Sequence, residues 1–339
     1  MNSHRGRGIV AFSLRLIFAI ITATALCLGQ VKPNADPERP APSGTRLLTL
    51  GTAGGPLPTK DRAQVSNLLI ANGVSYLVDA GDNVTRRIVQ SGHDFRKIGK
   101  IFITHPHSDH TMGLATLMAS AWEFQRSEPI DIYGPPGIEA LVSGALHYLT
   151  VNAEIRFAEG KTAPIAELFR AHDIQPGLIF QDKNVKVRAV ENTHFNFPVG
   201  SPPHGKYKSY SYRFETPDRV VVFMGDSGPS EALIALAHGA DLLVSEGVAV
   251  DDVVKVLERN GSWQAKTPEA QKGWMLHMTQ EHITPEEGGK IAAKAGAKTL
   301  VMSHLPPTVN VSDEFQRYVD AAKKYFSGRI VVAKDLQVF

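Results

Sequence analysis

From Thr45 onward, apolar residues gather in short runs separated by glycine, proline and polar turns, with helical stretches set between them. RLLTL leads into the glycine-rich turn GTAGG, then SNLLIA, a turn at Asn72-Gly73, and SYLVDA. An Asn-Gly pair between two such runs predicts a hairpin, because both residues tolerate the positive φ of a tight turn. A helix is expected through TRRIVQ, then KIFIT with a helix from His110, and IDIYG with a helix from Pro136. KVRAVENT, SYSYRFE, RVVVFMG with the helix EALIALA, DLLVSE, a helix from Pro285 to Ala295, and TLVMS follow. A helix near Phe315 to Tyr325 and a strand near Arg329 to Ala333 close the chain. Short β-branched runs alternating with helices predict a layered α/β architecture, and the hairpin argues against a wholly parallel sheet.

The 339 residues are 43% hydrophobic and 21% charged, which excludes disorder or coiled coil for the bulk and suits one domain over residues 45–339. The first thirty residues differ. Arg5, Arg7 and Arg15 precede or interrupt the apolar stretch IVAFSLRLIFAIITATALCLG, which ends in small residues. That layout predicts a signal peptide over 1–29 and a periplasmic or secreted product, with the Pro-rich residues 30–44 as linker. Arg15 leaves an apolar core shorter than a membrane span needs, so no stable span is expected once the leader is cleaved.

Cys27, the only cysteine, lies inside the leader behind Leu26, where a lipoprotein would want a small residue. With the leader removed no thiol remains, and any metal must be held by His and carboxylate. The net charge of +2 falls to about −1 without the leader's three arginines, so overall charge gives no footprint for nucleic acid.

The strongest chemical signal is His105-Pro-His107-Ser-Asp109-His110, just after KIFIT. Burying these groups without partners would cost several kcal/mol. Zinc favours neutral imidazole and carboxylate ligands. His194, Asp226 and His304 each follow an apolar strand, at the edge where an open α/β sheet gathers its ligands. Singly each would pass as a turn or capping residue.

Together these residues resemble the metallo-β-lactamase superfamily, whose signature is an HxHxDH box followed by a later His, an Asp and a final His. The resemblance runs from Thr45 to about Pro307. It implies an αβ/βα four-layer sandwich of two mixed sheets flanked by helices, and two zinc ions, with manganese or iron as alternatives. His105, His107 and His194 would bind one ion, Asp109, His110 and His304 the other, with Asp226 bridging. Asp79 in LVDAG matches an acid that orients a ligand imidazole, although a turn acid is the plain alternative.

Within the superfamily the chain looks most like the ribonuclease Z and arylsulfatase-like branch. LGTAGG, SNLLI and LVDAGD follow that branch's order, and His282-Ile-Thr284 precedes His304 by 22 positions, as a proton-donor His-Ser-Thr motif does there. Glu246 matches the glutamate of a His-Glu-Ala-Thr motif, with Ser245 in place of its histidine. Locally, Thr284 and Glu287 fit a helix capping box, which accounts for them but not for a histidine. His277 competes with His282 for the proton-donor role.

Two zinc ions can hold a hydroxide as nucleophile, while His282, supported by Glu246, protonates the leaving group. The catalytic set is then Asp109, His282 and Glu246. The bridging carboxylate favours a hydrolase of small esters, phosphodiester or sulfate, over a lactonase of the same fold. A ribonuclease Z-like tRNA 3′ endonuclease is the other alternative. Bacterial members of that branch insert a tRNA-gripping arm between the third ligand and the bridging aspartate, and here only 32 positions separate His194 from Asp226. PLPTKDRA matches their Pro-x-Lys-x-Arg-Asn loop except at Ala63. The expected partner is therefore a small ester rather than nucleic acid, and a homodimer is compatible with this reading. Trp122, Phe124, Tyr133, His147, Tyr207, Tyr210 and Tyr212, with Lys206 and Lys208, are candidates to flank the pocket, although Tyr210 and Tyr212 also fit one face of a strand.

Overall fold

The computed structural model describes residues 44–161, 163–307 and 314–339, which belong to one compact unit. The leader expected over residues 1–29, and all of the linker but Gly44, lie outside them. Strands β1 (Thr45–Gly51), β2 (Ser66–Ala71), β3 (Val74–Val78), β4 (Lys100–Phe102), β5 (Ile130–Gly134) and β6 (Phe169–Asp173) come from the first half of the chain. The second half supplies β7 (Gly177–Gln181), β8 (Lys186–Glu191), β9 (Tyr210–Glu215), β10 (Val220–Phe223), β11 (Leu242–Ser245), β12 (Thr299–Met302), β13 (Arg329–Val332) and β14 (Gln337–Val338).

Among the described residues they form two seven-stranded sheets, ordered β14-β1-β2-β3-β4-β5-β6 and β13-β12-β11-β10-β9-β8-β7. Each sheet is antiparallel on one side and parallel on the other. The change falls at β3 in the first sheet and at β10 in the second. The β2–β3 hairpin turns at Asn72 (φ 50°) and Gly73 (φ 78°), the pair of positive φ values that Asn-Gly supplies.

Alternation along the strands sorts the side chains into three apolar layers. Leu47, Leu69, Tyr76, Val78 and Phe102 face Tyr212, Phe214, Val221, Phe223 and Val244 between the sheets. On the other side of the first sheet, Leu48, Leu68, Ile70 and Leu77 meet Val84, Ile88, Leu117 and Trp122. On the far side of the second, Val222, Leu243, Leu300 and Met302 meet Leu233, Ile291 and Tyr318. This is the expected αβ/βα four-layer sandwich. A slip of one residue in any inner strand would exchange two of these layers, so the register is strongly fixed.

The expected elements are present, with a few differences. The helix expected from His110 is split into Ser108–Thr111 and Leu114–Glu123. Gly113 sits at the break because a Cβ there would lie 2.2 Å from the Gly81 carbonyl oxygen. Strands β6, β7 and β14, and the helices Val250–Arg259 and Pro268–Gln280, are additions. β6 and β7 are half-exposed edge strands: β6 mixes Arg170, His172 and Asp173 into its sequence, and β7 keeps only the three apolar residues Leu178–Phe180. No helix of the described residues is long and apolar enough to cross a membrane.

Several aromatic residues expected at a pocket serve the core or the surface instead. Trp122 is fully buried and donates its indole N–H to the Ala163 carbonyl at 2.8 Å. Tyr133 stacks between Phe102 and His172. Tyr210 and Tyr212 lie between the sheets, where the Tyr212 hydroxyl donates to the Ile103 carbonyl at 2.6 Å. Phe124 and His147 are exposed, Lys208 pairs with Glu191, and Lys206 lies over the Tyr207 ring.

Phe102 is the hub of the layer between the sheets, stacked on Tyr133 and edge-on to Phe180, Tyr212 and Phe214. Phe102→Ala should destabilise the fold by about 3–5 kcal/mol, read as a lowered denaturation midpoint with an unchanged slope in urea.

Candidate metal centre

The polar residues singled out from the sequence all come from connections that leave the same edges of the two sheets. Asp79 follows β3, the His105–His110 box follows β4, His194 follows β8, Asp226 follows β10, Glu246 follows β11 and His304 follows β12. The structure brings all of them together. Asp79 and His304 hold the left-handed conformation (φ 61° and 53°), which is uncommon outside glycine and recurs where a site dictates the backbone.

Three ring nitrogens converge first. His105 Nε2 and His194 Nε2 each lie 3.1 Å from His107 Nδ1. The opposite nitrogens of the two buried rings are already engaged. His194 donates from Nδ1 to the Glu281 carbonyl at 3.0 Å. Thr104 gives its hydroxyl proton to the Asp79 carboxylate, so its oxygen accepts from His105 Nδ1 at 3.1 Å. With those nitrogens protonated, the inner ones carry lone pairs, and lone pairs this close repel unless a cation lies among them. Tetrahedral zinc with bonds of about 2.0–2.1 Å would space its ligand atoms similarly.

The second set holds the carboxylates. His304 Nε2 is 3.1 Å from Asp109 Oδ2 and 3.2 Å from Asp226 Oδ2. His110 Nε2 is 3.4 Å from Asp226 Oδ1 and 3.6 Å from Asp109 Oδ2. Asp79 accepts from His110 Nδ1 at 3.0 Å, which turns Nε2 inward and gives Asp79 the orienting role expected of it. His110 Nε2 and Asp226 Oδ1 are buried with no hydrogen-bond partner. These orphaned atoms point into one space, and the donor set of imidazole and carboxylate fits divalent zinc. Asp226 also groups with His105 and with His194, so it spans both sets.

Electrostatics follow the same division. Burial pushes His105 and His194 well below the usual histidine range, and their imidazole neighbours add to it, so both are in the neutral, ligating form. Burial would lower His110 too, but Asp226, Asp79 and Asp109 outweigh it and hold it well up. Against burial, His304 and His110 keep the Asp226 carboxyl well below its ordinary range, and the same two rings lower Asp109. The carboxylates therefore demand positive charge at this point.

Residues not singled out complete the frame. The Gly55 N–H donates to Asp109 Oδ2 at 2.8 Å, and a Cβ on Gly55 would fall 2.2 Å from the Asp109 carboxyl carbon. Only glycine lets this turn close over the ligand, so GTAGG is part of the site. By contrast Arg62, the arginine of PLPTKDRA, turns inward to Thr52 Oγ1 and the Ala333 carbonyl and serves the fold. His107 is the exposed member of the box and marks the open side of the centre.

Beside the ligands lies the pair His282 and Glu246. Glu246 Oε2 accepts from His282 Nδ1 at 2.7 Å, and its Oε1 takes the N–H groups of Ser227 and Ile283 at 3.0 and 2.9 Å. Burial raises the Glu246 carboxyl, and His282 opposes that shift. Burial would lower His282, but this carboxylate outweighs it and raises the imidazole to about 9. The next helix is capped by Thr284 Oγ1 on the Glu287 N–H at 3.3 Å, while the Glu287 carboxylate pairs with Lys290, so half of the expected capping box forms. His277 Nε2 lies 3.3 Å from His282 Nε2, and its Nδ1 is 2.6 Å from Glu281 Oε2.

Asp226→Ala removes the group between the two ligand sets and should reduce the bound metal relative to wild type, measured by elemental analysis of carefully dialysed protein. Asp79→Asn should weaken metal binding by about 10–100-fold without loss of fold, measured by competition with a chelator. Unchanged metal content in both variants would show that these residues hold no metal.

Three comparisons bear on this geometry. Residues 75–305, more than half of the chain, match the Beta-lactamase superfamily domain. The ribonuclease Z of Mycolicibacterium paratuberculosis (strain ATCC BAA-968 / K-10) is 30% identical over 294 residues, covering 85% of this chain and 96% of its own. That of Mycobacterium bovis (strain BCG / Pasteur 1173P2) is 29% identical over 292 residues, with the same coverage. Among solved structures, the metallo-beta-lactamase fold protein YhfI from Bacillus subtilis superposes with a TM-score of 0.63 at 21% identity, over 88% of this chain and 99% of its own. With its two mixed sheets and its buried clusters of imidazole and carboxylate, the chain belongs to the metallo-β-lactamase superfamily, in the ribonuclease Z branch, and is a metal-dependent hydrolase of phosphodiester or ester bonds.

Proposed function

We propose that this chain is a phosphodiesterase of the ribonuclease Z type. Two divalent metals, zinc foremost, would be held by His105, His107 and His194 on one side and by Asp109, His110 and His304 on the other, with Asp226 between them. The observation that carries the reading is the carboxylate-held imidazole of His282 beside the ligand cluster. The alcohol leaving group of a phosphodiester is a poor one until it is protonated, and a fixed imidazolium provides that proton. The curated relatives are ribonucleases by name, which supports RNA as substrate better than the small ester expected from the sequence. Nucleic acid thereby returns as the expected partner.

When bound, divalent metals of this kind supply a nucleophile at neutral pH and polarise a phosphoryl oxygen. The chain's own residues do the rest. Glu246 anchors His282 through Nδ1, which leaves Nε2 as the atom that delivers the proton. His277 sits against that same Nε2 and, backed by Glu281, gives it a partner until the leaving oxygen takes the place. Asp109, held by Gly55, keeps a carboxylate at the far side.

A second reading, a small phosphodiester or sulfate ester, is favoured by one feature of this chain. Between β8 and β9 the backbone makes a run of turns, and β9 and β10 occupy much of the remaining interval to Asp226. No tRNA-gripping arm fits there. An exported location, expected from the leader, belongs with this second reading and is tested by cell fractionation.

The deciding assay incubates zinc-loaded protein with a tRNA precursor carrying a 3′ trailer and, in parallel, with bis-nitrophenyl phosphate, nitrophenyl sulfate and a simple lactone. A single cut releasing the trailer is the expected result. Cleavage of the nitrophenyl diester alone would establish the second reading, and turnover of the sulfate or lactone alone would overturn the phosphodiesterase. In the active assay, His282→Ala should lower kcat by roughly 10²–10⁴-fold with metals retained, and less for activated leaving groups. A larger loss in His277→Ala would transfer the proton-donor role to that residue.

A further inference from the structure

We propose that Phe195 and Phe197 form a stacking platform for a nucleobase next to the metal centre, an inference that rests on the phosphodiesterase reading. Three rings lie in sequence. Phe195 stacks on the ligand His194, with centroids 5.0 Å apart and planes 30° apart. Phe197 stacks on Phe195 at 5.0 Å and 29°. Phe195 also meets the rings of His105 and His107 edge-on, at 5.6 and 5.1 Å, so the start of the stack is fixed by the ligand box itself.

The stack runs outward from the centre. Phe195 and Phe197 are half-buried, and their neighbours Asn196, Pro198 and Val199 are exposed, Val199 by 90%. Among the described residues no further ring stacks on Phe197. Its outer end is where a planar group of the substrate can continue the series.

The platform is held in place beforehand. The Phe197 carbonyl accepts from His204 Nδ1 at 2.9 Å, and the Pro198 carbonyl accepts from the Ser201 N–H and hydroxyl at 3.0 and 2.7 Å. A ligand therefore orders little on binding, which is what makes a stacking face effective. Two successive ring contacts of 5.0 Å link Phe197 to the candidate ligand His194, so a base stacked on Phe197 would extend a series that starts at the centre. Stacking is tolerant of base identity because every base has a π-face. Phe197 is thus a specificity-determining residue that distinguishes nucleotidyl phosphates from alkyl ones.

The test measures binding, so it does not require turnover. Calorimetry on the zinc-loaded full chain compares adenosine 5′-monophosphate with ribose 5-phosphate, which shares the charge but lacks the base. Wild type should bind the nucleotide about 5- to 100-fold more tightly, the usual worth of one stacked base. Phe197→Leu should abolish that difference while leaving ribose 5-phosphate binding and metal content unchanged, and Phe197→Trp should keep it. Equal binding of both ligands by wild type, or equal weakening of both in Phe197→Leu with its metal retained, would overturn the platform. If the nucleotide preference is present and lost in Phe197→Leu while no phosphodiester is cleaved, the platform stands and the phosphodiesterase reading falls.

Discussion

Lone pairs on buried imidazoles repel one another, and buried carboxylates lose their hydration, so neither group collects in a protein interior without a compensating charge. Here three ring nitrogens lie 3.1 Å apart in a chain, and two carboxylates face two further rings within 3.6 Å. Each outward nitrogen of His105, His110 and His194 already has a hydroxyl, carboxylate or carbonyl partner. In the neutral His105 and His194 the tautomers leave the inner nitrogens as acceptors, while the carboxylates draw positive charge onto His110. A cation at the centre satisfies every one of them, and much of the surrounding architecture supports that arrangement.

The fold meets this demand by setting its two sheets face to face, the parallel half of the first over the antiparallel half of the second, so that connections after β3, β4, β10, β11 and β12 open at one edge. Helix-to-strand packing on both outer faces fixes the strands, and aromatic contacts around Phe102 tie the sheets together. Strain is then placed where it is used: Asp79 and His304 take the left-handed conformation at the two ends of the second ligand set. Gly55 lets the first turn close over Asp109 without a side chain in the way.

Chemistry is divided between the centre and its margin. The pair His282 and Glu246, proposed as the proton donor and its anchor, lies beside the ligand cluster, with Glu246 held by backbone N–H groups rather than by the ligands. The aromatic series from His194 to Phe197 lies on another side of the same centre and shapes what can approach it. These marginal groups separate members of one superfamily, because the electrophile is chosen outside the metal ligands.

The layered α/β class, most strand positions, the β2–β3 turn and all seven candidate ligands were legible in the order of residues. Those signals are local: alternation sets burial, Asn-Gly sets a turn, and a dense run of His and Asp after an apolar strand is costly to bury unless a cation joins it. Asp79, Glu246 and His282 were legible too, through their place in motifs. Anything fixed by distant contacts stayed open. Trp122 read as a pocket candidate, and Tyr210 and Tyr212 as pocket or one face of a strand; only the packing of one sheet on the other, and of helices on the first sheet, assigned them to the core. Phe195 and Gly55 carried no pattern of their own and gained their roles from rings and a carboxylate brought close by the fold. Edge strands β6 and β7 were silent because an edge is only half buried, so its sequence keeps at most a three-residue apolar run. Position along the chain told which residues can bind or react, and tertiary proximity alone decided which of them face one another.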